Sequence, residues 1–403
     1  MKVVIIHTDL RVYWKGRLMF LHKFLKSQGI DFYAIELFGK GSPYDFETFN
    51  KTETWWDCLF PEDSCGELTK YQIRDKVFSK LDELDPDVII AGSIVFYSGA
   101  LGLRWAKKNK KKLIMFDDGK PSWIKRNLII QGIKNLITNQ VDALWLPSME
   151  YDSEYVPVYS KENMRYLYGF DCIDNELFKF AHNKEITNKK IICVSRMVQK
   201  KNVLGLLEAW KFIESHDDTY TLIIIGDGPL FPELKSSALS MNLTKVIFLG
   251  AIDNDKIPAY LYSADAFISP SFYESWGLVV NEAMAAGLPV LLSDKINSGL
   301  TLLKDGENGY VFDPSNQLEL QDKILDFIQL SDAAKTMMST RSLEIIDTMS
   351  FKIMGDELLA TLIFLETEPC KRSWIIPRMI TNFWYGRYNT IEWNTVKVAA
   401  LPN

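Results

Sequence analysis

Cysteine is scarce in this chain and badly placed for cross-linking. The five residues, Cys58, Cys65, Cys172, Cys193 and Cys370, are odd in number, far apart and without a CxxC pair. That excludes a disulfide framework and a zinc–thiolate knuckle, and it fits a reduced, cytoplasmic compartment. The four histidines, His7, His22, His182 and His216, add no metal-ligand spacing. An excess of positive charge is also missing. The 46 basic and 52 acidic residues leave a net charge of −6, which argues against nucleic acid as the main partner. No apolar run approaches the roughly 18 residues of a spanning helix. The opening MKVVIIHTDL has too short an apolar stretch for a signal peptide and reads as a first buried strand. Glycine is short where a dinucleotide fold needs it. The stretch after that strand holds only Gly16, so GxGxxG is absent and a dehydrogenase is excluded.

What is present is an ordinary globular composition, 47 % hydrophobic and 24 % charged, over 403 residues. That length exceeds what one core normally supports, so two domains are expected. Short apolar runs at 3–7, 32–37, 87–91, 112–116 and 141–146 read as strands separated by amphipathic helices. The same alternation resumes with strands at 191–194, 221–225, 246–249, 266–269 and 289–292. Strands spaced by helices imply parallel sheets covered on both faces. The expected architecture is α/β, two doubly wound domains facing a cleft, at 1–172 and 186–350, joined by a polar hinge within 172–190. A final segment, 351–403, carries a helix at 352–365 and a tail. The stretch 39–65 reads as an elaborated loop. In such sheets ligands bind beyond the carboxyl ends of the strands, so the loops there hold the candidate chemistry.

Two loops of the second domain stand out. In the first, 194–202, Arg196 and Lys201 are two cations suited to a diphosphate, unless they are ordinary surface charges. In the second, 269–278, Gly277 lets backbone approach a ligand, and the amides of Leu278 and Val279 open a helix whose dipole favours an anion. Glu282 lies one turn further on the same face, placed to accept hydrogen bonds from ribose hydroxyls or simply to favour a helix start. Glu274, ahead of the glycine, is placed to meet a sugar.

Glu274-x7-Glu282, with Trp-Gly-Leu inside it and NEAMAAGLPV overlapping its end, resembles the family-4 retaining glycosyltransferases of the GT-B fold. The segments 225–229, 248–252, 262–265 and 304–314 resemble that family in the same order. The resemblance implies that Arg196 and Lys201 hold a diphosphate, Glu282 the ribose and Glu274 the donor sugar. It further implies Gly226 in the donor loop, Ile252 beside the base, and the Leu278 and Val279 amides at the phosphates. Asp227 reads as shaping its loop. The resemblance also implies a C-terminal segment crossing back to the first domain.

The first domain departs from that pattern. Its opening loop is poor in glycine, leaving Gly16 and Arg17 as the candidates on the acceptor or phosphate side. Where relatives carry a histidine near the reacting centre, this chain has Met-Phe-Asp-Asp-Gly at 115–119. Asp117 either stabilises a cationic sugar or, with Asp118, caps the turn at Gly119. No metal or other cofactor is expected, since Asp85-Pro86-Asp87 precedes a strand and reads as a turn. The expected reaction moves a sugar from a UDP- or GDP-type donor to a saccharide or lipid-linked acceptor in polysaccharide or glycan synthesis. A non-catalytic nucleotide-sugar-binding protein and a sugar-nucleotide epimerase are the alternatives. Two segments, 123–137 and the aromatic, basic tail from 371, read either as packing elements or as faces for peripheral membrane contact.

Overall fold

The computed structural model describes residues 1–11, 13–39, 53–120, 127–162, 164–179, 189–371 and 375–386. The chain divides into two compact units. Residues 1–170 and 351–403 form the first, and residues 171–350 form the second.

The first unit is built on seven strands: β1 (Lys2–His7), β2 (Asp31–Phe38), β3 (Trp56–Phe60), β4 (Val88–Ala91), β5 (Lys112–Phe116), β6 (Ala143–Leu146) and β7 (Arg165–Tyr168). They lie in the order β3-β2-β1-β4-β5-β6-β7, all parallel. The central strands are apolar throughout because both faces are covered: Val3 to Ile6 and Ile89 to Ala91 are shut off from solvent. Two of these strands were not expected. β3 lies inside the stretch read as a loop, and β7 (RYLY) carries too few apolar residues to signal itself. Both are edge strands, buried by one neighbour, so neither needs a continuous apolar run.

The C-terminal helix Phe351–Thr367 belongs to this first unit. Met354, Leu358, Leu362 and Leu365 are its buried face. It lies against the helix Tyr13–Ser27, where a Cβ on Gly355 would stand 2.8 Å from the Phe20 ring. A second helix, Ile375–Phe383, follows it. Of the basic helix read at 123–137, the described part is Leu128–Thr138, capped by the Asn127 side chain on the Ile129 and Ile130 amides; residues 123–126 lie outside the described residues. Asp85 takes a left-handed helix cap, with φ 43°, and pairs with Lys111 at 2.9 Å. Asp87 accepts from the Lys2 amide.

The second unit has six strands: β8 (Lys190–Val194), β9 (Thr221–Ile225), β10 (Val246–Gly250), β11 (Ala266–Ser269), β12 (Val290–Ser293) and β13 (Gly309–Phe312). Their order is β10-β9-β8-β11-β12-β13, again all parallel. The order reverses beside β8, so the loops after β8 and β11 diverge at a switch point, the place where doubly wound sheets bind ligands. One face of the sheet packs Ile191, Cys193, Leu222 and Ile224 against Trp210, Leu320 and Phe327 of flanking helices. The unit is closed at its base by Asn175, whose side-chain amide donates to the carbonyls of Ile346 and Met349.

Candidate functional site

The loop after β8 is held to the loop after β9 by backbone hydrogen bonds. The Met197 amide donates to Asp227 O at 2.9 Å, the Ser195 amide to Ile225 O, and the Leu230 amide to Met197 O. Gly226, at φ 128°, has no room for a side chain: a Cβ there would collide with the Ser195 carbonyl. A Cβ on Gly228 would likewise crowd the backbone of Met197, at 2.7 Å from its carbonyl oxygen. The glycines of Gly-Asp-Gly-Pro thus let two loops touch, while Asp227 contributes its carbonyl to that contact and its carboxylate to the Gly228 amide. Arg196 and Lys201 project from the platform so formed. Lys201 closes a short 3-10 turn, and Asn202, left-handed at φ 52°, starts the next helix.

The loop after β11 meets this platform. The Phe272 amide donates to Lys200 O at 2.8 Å. Lys201 Nζ makes an ion pair with Glu274 Oε1, the two side chains 17 % and 12 % exposed. Ser271 Oγ adds a hydrogen bond to the same oxygen at 3.3 Å. Burial pushes the Glu274 carboxyl up, but the charges of Lys201 and Lys200 and these hydrogen bonds outweigh it and hold the group below its ordinary range. The loop is also tied from behind. The Glu274 amide donates to Lys295 O, the Asn297 side chain to Ser275 O, and Ser293 Oγ to Ser271 O. Gly277, at φ 94° and ψ 67°, turns the chain into the helix Leu278–Ala285. A Cβ there would find ordinary contacts, so it is the left-handed backbone that calls for glycine.

At the helix start the Val280 amide is taken by Gly277 O. The Leu278 and Val279 amides have no partner among the described residues, as the first turn of a helix requires. Glu282 lies one turn on. Its side chain is partly open, yet the surrounding protein strips it of water and this burial pushes it up to about 8. The two carboxylates of one motif therefore differ in kind. Glu274 is a paired anion, and Glu282 is an acceptor that has no hydrogen-bond donor for its carboxylate among the described residues. Ile252, after β10, is half-buried on the loop that follows Gly250.

Sequence reading passed over Asn281, which is fully buried beside Glu282. It accepts from Trp276 Nε1 at 2.9 Å and donates to Asp171 O at 3.0 Å, so it locks the loop before Gly277 to the helix after it. The only hint was a polar residue in an apolar helix. The pairing of Lys201 with Glu274 was equally invisible, because 73 residues separate the two.

In the first unit the candidates are dispersed. Gly16 lies inside the helix Tyr13–Ser27 and meets the Phe351 ring, which a Cβ would approach to 3.1 Å. Arg17 is buried, its guanidinium 5.0 Å from the centre of the Trp14 ring. Asp117 leaves β5 and accepts from the Gly119 amide at 3.0 Å, forming a turn. Tyr151 and Tyr155 brace that turn by donating to the carbonyls of Asp118 and Gly119. His7, at the end of β1, sits edge-on to the rings of Phe96 and Phe116, and burial lowers its imidazole to about 4.

Comparison with known proteins now bears on the second unit above all. Residues 174–341 match the family model described as Glycosyl transferases group 1. An alpha-monoglucosyldiacylglycerol synthase of Acholeplasma laidlawii is 29 % identical over 175 residues, 42 % of this chain and 43 % of that one. The UDP-Gal:alpha-D-GlcNAc-diphosphoundecaprenol alpha-1,3-galactosyltransferase of Escherichia coli is 33 % identical over 154 residues, 35 % and 39 % of the two chains. These matches span less than half of each relative's own length. A solved structure of Anabaena Alr3699/HepE in complex with UDP superposes with a TM-score of 0.70 over 90 % of this chain and 100 % of that one, at 17 % identity. At that identity the likeness speaks for the fold, which is GT-B.

Proposed function

We propose that this chain, whose residues 174–341 match the family model of the group 1 glycosyl transferases, is a retaining glycosyltransferase. It draws a sugar from a nucleoside-diphosphate donor and passes it to a saccharide or lipid-linked saccharide in glycolipid or polysaccharide synthesis. The observation that carries this reading is the arrangement around Gly277. Among the described residues, two amides without a partner open a helix, an Arg and a Lys lie on the neighbouring loop, one carboxylate is paired and a second has no donor. A diphosphate would satisfy the amides and cations, and ribose hydroxyls would satisfy Glu282. Glu274, kept charged by Lys201, receives hydroxyls of the donor sugar. The protein bound to UDP in the superposed Anabaena structure supports the donor class.

In this reading no side chain attacks the sugar. The leaving diphosphate takes the acceptor proton as the acceptor hydroxyl approaches on the same face, the C–O bond to phosphate breaks, and the new glycosidic bond forms. Arg196, Lys201 and the helix start stabilise the charge growing on the diphosphate, so catalysis is mainly positioning and electrostatic stabilisation.

A thermal-shift screen of UDP- and GDP-sugars identifies the donor, since a ligand that binds only the folded state raises the melting temperature. With that donor, Arg196→Ala and Glu274→Ala should each lower turnover by roughly 100-fold or more while the fold survives. Full activity in both variants would overturn the site. A second reading, donor binding without transfer, draws on the engagement of Asp117 in its turn. Slow hydrolysis of the donor in the absence of acceptor would eliminate it.

A further inference from the structure

The first unit holds a cavity of about 410 Å³ at the amino ends of three parallel strands. Lys112 opens β5, Asp142 immediately precedes β6 and Arg165 opens β7, and all three line it. Doubly wound sheets bind their substrates at the opposite, carboxyl end. The remaining wall is the end of the helix Phe351–Thr367 and the segment after it, from Phe364 to Lys371. These residues all belong to one compact unit. The volume lies within the roughly 300–1,000 Å³ of small-molecule pockets.

Four cations face this space: Lys112, Lys161, Arg165 and Lys371. Lys112 is 7 % exposed, and among the described residues its ammonium donates to two carbonyls, Glu368 O at 2.7 Å and Pro369 O at 2.8 Å. An ammonium has three donors, so one remains. Lys371 Nζ donates to Val141 O at 3.2 Å, which leaves two. Arg165 lays its guanidinium over the Phe364 ring, 5.4 Å from the centroid, a contact that leaves its N–H donors available. Lys161 is already paired with Asp152.

Three carboxylates share the wall, and their depth differs. Asp142 is buried, and Lys107 pairs with it at 3.2 Å. Glu162 and Glu368 are exposed. The inner part therefore keeps a surplus of positive charge, while the rim offers acceptors. Burial lowers the Lys371 ammonium to about 8, Asp142 pulling against the shift and Lys107 adding to it. Cations set among carbonyl dipoles in a closed space are costly, and an anion between them relieves the cost. A phosphate group accepts from several donors at once, from the Arg fork and from the compact Lys charges. Rim carboxylates accept from hydroxyls.

We infer that this cavity binds a small phosphate monoester carrying hydroxyl groups, of the sugar-phosphate class. Its phosphate meets Lys112, Arg165 and Lys371, and its hydroxyls lie toward Glu162 and Glu368. The cavity wall joins the sheet to the returning C-terminal segment, so an occupant stabilises the first unit.

The test is calorimetric titration of the full chain with glucose 6-phosphate, compared with inorganic phosphate, glucose and sodium chloride. Glucose 6-phosphate should bind saturably, more tightly than inorganic phosphate, and raise the melting temperature of the first unit by a few degrees. Glucose, and chloride at matched ionic strength, should do neither. Arg165→Gln and Lys371→Met should each weaken binding by roughly tenfold. At about pH 8.5 Lys371 is mostly neutral in the free protein, so binding should take up a proton. Titrations in buffers of different ionisation enthalpy read that uptake, and Lys371→Met should abolish it. Arg165 is exposed, so its variant should keep the melting temperature of the ligand-free chain. No saturable binding of glucose 6-phosphate up to roughly 10 mM would overturn the inference. So would an equal shift from chloride alone, or unchanged affinity in both variants. Loss of binding in Arg196→Ala would also overturn it, by placing the anion at the donor site.

Discussion

Glu274 and Glu282 come from one motif but carry opposite electrostatics, and pH separates them. Glu274 is held below the ordinary carboxylate range, so its pairing stabilises the fold at neutral pH and that contribution is lost on acidification. Glu282 is raised from 4.5 to about 8. Between those values the folded chain retains a proton that the unfolded chain has released, so stability falls as pH rises through that window. Glu282→Gln should therefore raise the melting temperature of the ligand-free protein by a few degrees at pH 8.5 and leave it nearly unchanged at pH 4.5. The same variant should bind the nucleotide sugar about tenfold more weakly, because an amide oxygen accepts from hydroxyls less strongly than a carboxylate. Calorimetric melting across pH and a donor titration check both. The residue types at these positions were legible in the sequence, and their difference was not. Lys201, which pairs with Glu274, and the bulk that desolvates Glu282 arrive only with folding.

At the scale of elements, the decisive piece is the turn from β11 into the helix Leu278–Ala285. Its ends are joined by Asn281, which bonds both Trp276 and Asp171 in a site closed to water. Asn281→Ala removes the acceptor of a buried indole N–H and a donor to the Asp171 carbonyl, at a cost of about 2 kcal/mol. Urea unfolding should show a lower midpoint with an unchanged slope. Donor affinity should fall as well, because the Glu274 loop loses its tie to the helix that carries the phosphate-facing amides. The strands β11 and β12 were readable because they are buried on both faces and are apolar up to a closing serine. Three of the four edge strands were not, β10 being the exception. β3, β7 and β13 have one neighbour each, and β13 opens on Gly309, whose Cβ would collide with the Val290 carbonyl. A glycine chosen for close approach of two backbones reads, in sequence, like a turn.

For the whole molecule, the return of residues 351–403 to the first unit makes that unit's stability depend on the far end of the chain. The helix Phe351–Thr367 buries Met354, Leu358, Leu362 and Leu365 there. At roughly 1.5–3 kcal/mol for each such side chain, its loss is comparable to the 5–15 kcal/mol that holds a typical domain. A chain ending at Ser350 should thus lose the cooperative unfolding of the first unit and keep that of the second, whose own base is closed by Asn175. Scanning calorimetry should show two transitions in the full chain and one in the truncated form. A truncated chain with both transitions intact would show that the first unit does not need this helix.

By itself the sequence determined the α/β alternation, the two parallel sheets and the segment Glu274–Glu282, because these depend on local patterns: apolar runs, helix spacing, and a glycine where the backbone turns left-handed. The tertiary structure alone decided which distant residues meet. It paired Lys201 with Glu274 and gave Gly226 and Gly16 close neighbours. Such outcomes depend on which chain segments lie within a few ångströms of one another, and for residues tens to hundreds of positions apart no local pattern records that.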